Sequence, residues 1–356
     1  MVEQEVQEQH RKKLLRWTVA LVSLVVALFA AAIFAICIGS VSIPVDRVFQ
    51  SLISSDFWRV ITGGHATGTD NIIVLEIRLP RILVAGLVGA SLSVAGVAMQ
   101  ALFRNPMASP YILGLSSGGA FGAAVAIVLG FSLVSGQFAI PLMAFIFTFL
   151  TLFMVYGISR TKFGVPVTTL LLAGIAVGAF FSALVSLIKY FSGDKLSDIV
   201  FWMMGGLWNS NWSLFWMALP FVLVGCIILL LLAREMNLLM LGESQATNLG
   251  VNVKQIRFII LIASALVTAA AVSVSGVIGF VGLIIPHTLR IIMGPDNKIL
   301  LPASIVGGAV FMIVTDTIAR TIISPQELPV GIITALVGAP FFLYLLRSRK
   351  REIWGW

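Results

Sequence analysis

Charge is what this sequence has least of. Only 11% of its 356 residues are Asp, Glu, Lys or Arg, while 59% are apolar. A water-soluble domain carries about 25% charged residues, so most of this chain's surface does not face water. Cysteine is nearly absent: Cys37 and Cys226 each stand alone inside an apolar run, a spacing that offers neither a disulfide framework nor a thiolate metal site. The three histidines, His10, His65 and His287, fall in separate regions. No H-E-x-x-H and no carboxylate pair at helical spacing accompanies them, so neither hydrolytic nor metal chemistry is indicated. A G-x-x-x-x-G-K-[ST] run is missing as well, and with it the usual cradle for nucleotide phosphates.

The apolar runs also lack ionisable residues in their middles. Ion-coupled carriers need such groups at mid-membrane depth, where the ion crosses. Asp316 and Arg320, four apart on one helix face, are expected to pair near the outer end of a span, and His287 and Arg290 lie at the inner end of another. The pattern argues against a proton or sodium symporter and for a passive wall moved from outside the membrane.

What is present is length of apolar sequence. A bilayer-crossing helix needs about 20 apolar residues. Candidate spans fall near 17–38, 79–103, 109–129, 137–159, 166–190, 213–233, 256–275, 276–293, 300–323 and 328–346, which makes ten. The eighth is the weakest, being short and interrupted by Gly279, Gly282 and Pro286. The first follows Arg11, Lys12, Lys13 and Arg16, but its core is longer than that of a secretory signal, so it reads as a retained helix. The expected fold class is therefore all-α and polytopic, one transmembrane domain over 1–356.

The net charge of +8 does not indicate nucleic acid, which needs a solvated basic face. Lys and Arg instead cluster beside the spans, a topology signal. With the N-terminus inside, Arg11, Lys12, Lys13, Arg16, Arg104, Arg160, Lys162, Arg234, Lys254, Arg257, Arg290, Lys298, Arg347, Arg349, Lys350 and Arg351 fall inside. Arg47, Arg59, Arg78, Arg81, Lys189, Lys195 and Arg320 fall outside. The imbalance favours both termini in the cytoplasm. Residues 1–16 are then a cytoplasmic segment and 234–255 a cytoplasmic connection. In that connection Ser244–Leu249 is expected to form a short helix stopped by Gly250, of a kind that suits a partner's groove. Outside, 191–212 carries Phe201, Trp202, Trp208 and Trp212 and reads as an interfacial helix. Leu79-Pro80, six residues, then Leu87-Val88-Gly89-Ala90 is echoed by Leu328-Pro329, six residues, then Leu336-Val337-Gly338-Ala339. Each Pro is expected to open its helix, where its missing N–H costs nothing.

Three stretches together are specific. They are Arg78-Leu79-Pro80-Arg81 leading through Gly96-Val97-Ala98-Met99-Gln100-Ala101-Leu102-Phe103-Arg104-Asn105-Pro106; Ser275-Gly276-Val277-Ile278-Gly279-Phe280-Val281-Gly282-Leu283-Ile284-Ile285-Pro286-His287; and Glu327-Leu328-Pro329-Val330-Gly331. On these residues the chain resembles the FecCD/cobalamin-type permeases of binding-protein-dependent ABC importers for iron–siderophores, haem and cobalamin. The likeness runs from about Arg78 to Leu346. It implies a type II importer permease, ten helices per subunit, a homodimer in the inner membrane, two cytoplasmic ATP-binding-cassette subunits and an extracytoplasmic binding protein. ATP and Mg would be bound by those ATPases; this chain would hold no cofactor and catalyse no reaction. The family pattern implies ATPase coupling through Gly242, Glu243, Ala246 and Gly250. It implies binding-protein docking through Arg78, Arg81 and Arg320, and a cytoplasmic gate at Asn105, Met107, Val167 and Thr168. Pro166 and Val167 depart from the more polar residues of the cobalamin transporter. The commonest cargo in the family is an iron–siderophore; cobalamin, haem and molybdate are served by similar permeases.

Overall fold

The computed structural model describes residues 2–39, 41–131, 136–162 and 164–348; Arg349, Lys350 and Arg351 of the C-terminal basic cluster lie outside the described residues. Among the described residues, fifteen helices other than short 3-10 turns follow one another, numbered in order. They are α1 (Val2–Cys37), α2 (Val45–Ile53), α3 (Ser55–Ile61), α4 (Thr69–Phe103), α5 (Leu115–Val128), α6 (Ala139–Ser159), α7 (Val167–Phe191) and α8 (Leu196–Met204). After these come α9 (Trp212–Leu231), α10 (Ala233–Met240), α11 (Glu243–Asn248), α12 (Val253–Ser275), α13 (Val281–Met293), α14 (Asn297–Thr321) and α15 (Val330–Ser348).

Seven of these, α1, α4, α6, α7, α9, α12 and α14, are long and apolar enough to cross a membrane. Of the ten expected span positions, seven hold these long helices and the other three hold the shorter apolar helices α5, α13 and α15. Local backbone explains two of the shortenings. Before α5 the chain makes a tight turn at Pro110–Leu113 and passes through Gly114 at φ +74°. Before α13 it is irregular from Gly276 (φ +69°) to Phe280 (φ +67°). Irregular backbone within a membrane must be satisfied by protein. Here the Gly206 amide donates to the Ser275 carbonyl (2.8 Å), the Gly331 amide to the Gly205 carbonyl (3.3 Å), and Tyr111 Oη to the Ile278 carbonyl (2.9 Å).

The sequence echo has two different outcomes. Pro329 precedes the first residue of α15, as expected. Pro80 also lies in the first turn of the α-wound part of its helix, Leu79–Phe103, but there the chain is already helical from Thr69. Proline cannot donate to the carbonyl four residues back, and the preceding segment Ile72–Arg78 is wound as a π-helix. That wider winding absorbs the lost hydrogen bond without ending the helix.

Helix α4 is the hub of the bundle and packs on α14, α12, α13 and α9. Two contacts are backbone on backbone. A Cβ placed on Gly89 would stand 2.0 Å from the Gly308 carbonyl oxygen, and one on Gly96 would stand 2.0 Å from that of Gly282. Only a residue without a side chain permits either approach, the usual device for close helix packing in lipid. At one end of the bundle, α1 is fastened to the end of α13. Arg16 donates to the Ile292 carbonyl, Trp17 Nε1 to that of Met293 (3.2 Å), and Lys13 lies 3.5 Å from Asp296. A cation at a helix C-terminus complements the carbonyls left unpaired there.

Candidate functional site

The inferred gate and coupling residues gather at one end of the bundle. Helix α11 covers Glu243–Asn248, with Gly242 (φ +120°) before it and Gly250 (φ +86°) beyond it. This is close to the helix expected from 244 to 249. Both glycines occupy backbone that residues with a Cβ rarely adopt, so the helix is set off by a sharp turn at each end. Ala246 is fully buried and anchors it: the Ala246 amide donates to the Gly242 carbonyl (2.9 Å), and the Val251 amide to the Ala246 carbonyl (3.0 Å).

A cavity of about 710 Å³ lies between α11 and the start of α7. Its walls include Arg104, Val167, Thr168, Glu243, Ser244 and Arg257, so coupling residue and gate residues face one space. Asn105 lines a neighbouring cavity of about 520 Å³ with Gln100, Met240 and Arg290. Met107 is half-buried, and its amide donates to Asn105 Oδ1 (2.9 Å), which fixes the turn after α4. Arg104 itself has left-handed backbone (φ +49°).

The residue that joins these parts went unremarked in the sequence, where Arg257 counted only as one more inward-facing cation. It lies on the first turns of α12 and is 7% exposed. One guanidinium nitrogen donates to the Glu243 carboxylate, and another donates to the Val165 carbonyl at 2.6 Å. Arg257 therefore ties α11 to the chain two residues before Val167. Spacing alone gives no sign of this, because Glu243 and Arg257 are separated by a turn and Val165 is far off in sequence.

Nearby, Asp296 caps α14 through the Lys298 amide (3.1 Å) and accepts from Asn237 Nδ2 (2.8 Å). Burial works to raise its pKa, but these hydrogen bonds and Lys13 outweigh it and hold the carboxyl below its usual range.

The three arginines assigned to docking meet at the other end, around a cleft of about 170 Å³. All three are buried, between 4% and 8% exposed. Arg78 donates to the carbonyls of Ile36, Cys37 and Val41. Arg81 holds Asp316 with two nitrogens (2.8–3.1 Å) and Glu327 with a third (2.9–3.0 Å). Arg320 donates to the Ala35 carbonyl. The expected pairing of Asp316 with Arg320 is present as an ion pair at 3.9 Å, and Arg81, from another helix, adds a closer bidentate grip on the same carboxylate. These arginines clasp α1, α4 and α14 together through hydrogen bonds within the chain.

A model of the FecCD transport family matches residues 24–348. The chain is 44% identical over 329 residues to an uncharacterized ABC transporter permease of Bacillus subtilis, covering 91% of this chain and 92% of that protein. It is 47% identical over 282 residues to a cobalamin import system permease of Halobacterium salinarum, covering 79% and 75%. Other relatives are named for transport of hemin (Yersinia pestis), molybdate (Haemophilus influenzae) and iron(3+)-hydroxamate (Bacillus subtilis). A solved structure described as an inward-facing metal-chelate type ABC transporter superposes with a TM-score of 0.80 at 36% identity, covering 92% of this chain and 98% of that one.

Proposed function

We propose a working cycle from one premise: the chain belongs to the FecCD transport family, and it is the multi-pass membrane permease of an ABC importer. In our reading it imports iron–siderophore complexes as a homodimer in the inner membrane, with both termini cytoplasmic. Two ATPase subunits sit beneath it, and an extracytoplasmic binding protein delivers cargo from the opposite side.

The observation that carries the mechanism is the double hold of Arg257 on Glu243 and on the Val165 carbonyl. An ATPase that grips α11 in a groove moves Glu243, and Arg257 passes the displacement to the chain leading into Val167 and Thr168. A guanidinium suits this role because its planar fork fixes two directions at once. Gly242 and Gly250 let α11 tilt as a unit. Asn105 and Met107 form the facing lip of the gate.

Docking by Arg78, Arg81 and Arg320 belongs to the same proposal. Glu327, with a side chain 37% exposed, is the group that a carboxylate of the binding protein would replace on Arg81.

Siderophore cargo is supported by the apolar, uncharged middles of the spans, since a molybdate pathway would call for cationic walls. The test is uptake by liposomes containing the chain, its ATPase and its binding protein, supplied in parallel with ferric hydroxamate, cobalamin, haem and molybdate. ATP-dependent accumulation of ferric hydroxamate alone is the expected result. Accumulation of one of the other three in its place would reassign the cargo.

A further inference from the structure

A second site lies beside the coupling region, and we propose that it holds the phosphate of an anionic phospholipid headgroup. A groove of about 410 Å³ opens between the last turn of α6 and the first turns of α12. Four cations line it, Arg160, Lys162, Lys254 and Arg257, and no carboxylate does. Among the described residues, Arg160, Lys162 and Lys254 make no ion pair, so three charges face the groove uncompensated. Arg257 is more than nine-tenths buried, and its Nε has no hydrogen-bond partner. An unsatisfied buried N–H on a cation is costly, and a phosphate oxygen in the groove would satisfy it with a charge-assisted hydrogen bond.

The surroundings favour a lipid over a soluble anion. The groove sits at the ends of two spans, and its wall includes Tyr156 and Phe258, whose rings meet at 5.1 Å. Aromatic rings beside basic residues are the usual furniture of a membrane–water boundary. From this rim a row of rings climbs α6, with Phe153 to Phe149 at 6.2 Å and Phe149 to Phe145 at 5.1 Å. Phe153 is 53% exposed, and Leu150 and Ile146 beside it are exposed too. An acyl chain lying on that row would place its headgroup phosphate among the four cations. The site depends on the chain lying in a membrane and is independent of which cargo it carries.

The test is native mass spectrometry of the purified full-length chain, exchanged into phosphatidylglycerol or phosphatidylcholine. The chain should retain phosphatidylglycerol preferentially. Because a basic residue near the surface contributes about 1 kcal/mol to binding anionic lipid, Lys162→Gln with Lys254→Gln should weaken retention by roughly tenfold to thirtyfold. Arg59→Gln with Lys189→Gln, an equal loss of charge at the other end, should leave retention unchanged. Inorganic phosphate at matched ionic strength should not displace the lipid. Equal retention of the two lipids, an unaffected lysine double variant, or displacement by inorganic phosphate alone would each overturn the assignment. So would cross-linking of Lys254 to the ATPase in the assembled complex with no lipid retained there, which would give the groove to the protein partner.

Discussion

At the residue scale, the buried ion cluster and one surface carboxylate make opposite demands. Asp316 is 1% exposed and bound to a buried arginine, whereas Glu327 is 37% exposed. Removing one partner of a buried pair strands the other charge and costs about 3–5 kcal/mol, while an exposed pair contributes about 0–1 kcal/mol. Asp316→Ala is therefore expected to destabilise the detergent-solubilised chain severely and Glu327→Ala only slightly, as read by thermal unfolding. Comparable losses from the two variants would refute the clasp. Asp56, in the first turn of α3, accepts from the Thr67 amide (2.7 Å), the Asn71 side chain (2.9 Å) and the Thr67 hydroxyl (2.8 Å). These bonds, led by the Thr67 amide, favour the charged form and lower its pKa. A carboxyl lowered on folding stabilises the folded state above its unfolded pKa, and that contribution disappears as pH falls through the folded value. The segment from 56 to 71 should thus loosen first below about pH 4, near the carboxyl's ordinary value. Faster exchange of the Thr67 amide there, abolished as a pH effect in Asp56→Asn, is the expected record.

At the scale of elements, the packing rests on glycines that the motifs contain without explaining. Gly96 and Gly282 belong to two separate motif runs, yet their meeting across α4 and α13 is a tertiary fact that neither run states alone. Adding a methyl at Gly89 or Gly308 forces two backbones apart, for which overpacking costs of about 1–3 kcal/mol are typical. Gly157, with nothing within 4 Å of its missing Cβ, should accept Ala within about 1 kcal/mol. Unfolding midpoints of the three variants provide the comparison, and an equal response would remove the close approach as an explanation. Helix existence was legible because long apolar runs are strong signals. Helix starts were less so: Pro80 marks where α-helical winding begins, but the π-wound segment ahead of it carries no sequence mark. The short helix α11 was legible from its bounding glycine, whereas the tie through Arg257 was not, since it depends on the fold bringing residues 165, 243 and 257 together.

At the scale of the whole molecule, composition alone revealed a membrane wall, and the three motif runs revealed its family. The gate and coupling residues inferred from that resemblance do converge on one end of the bundle, and the arginines assigned to docking converge on the other. Their burial was not foreseeable, because an arginine beside an apolar run reads equally well as a surface anchor. In the proposed cycle, work enters at α11 and travels through Arg257. The most direct measurement is cargo accumulated per ATP hydrolysed, in liposomes holding the complete complex, for the natural chain and for Arg257→Gln. The expected result is accumulation by the natural complex, none by the chain without its ATPase, and continued ATP hydrolysis with uptake reduced at least about tenfold in the variant, the cost of roughly one charged hydrogen bond. Unchanged uptake per ATP in Arg257→Gln, or accumulation by the chain alone, would contradict the account.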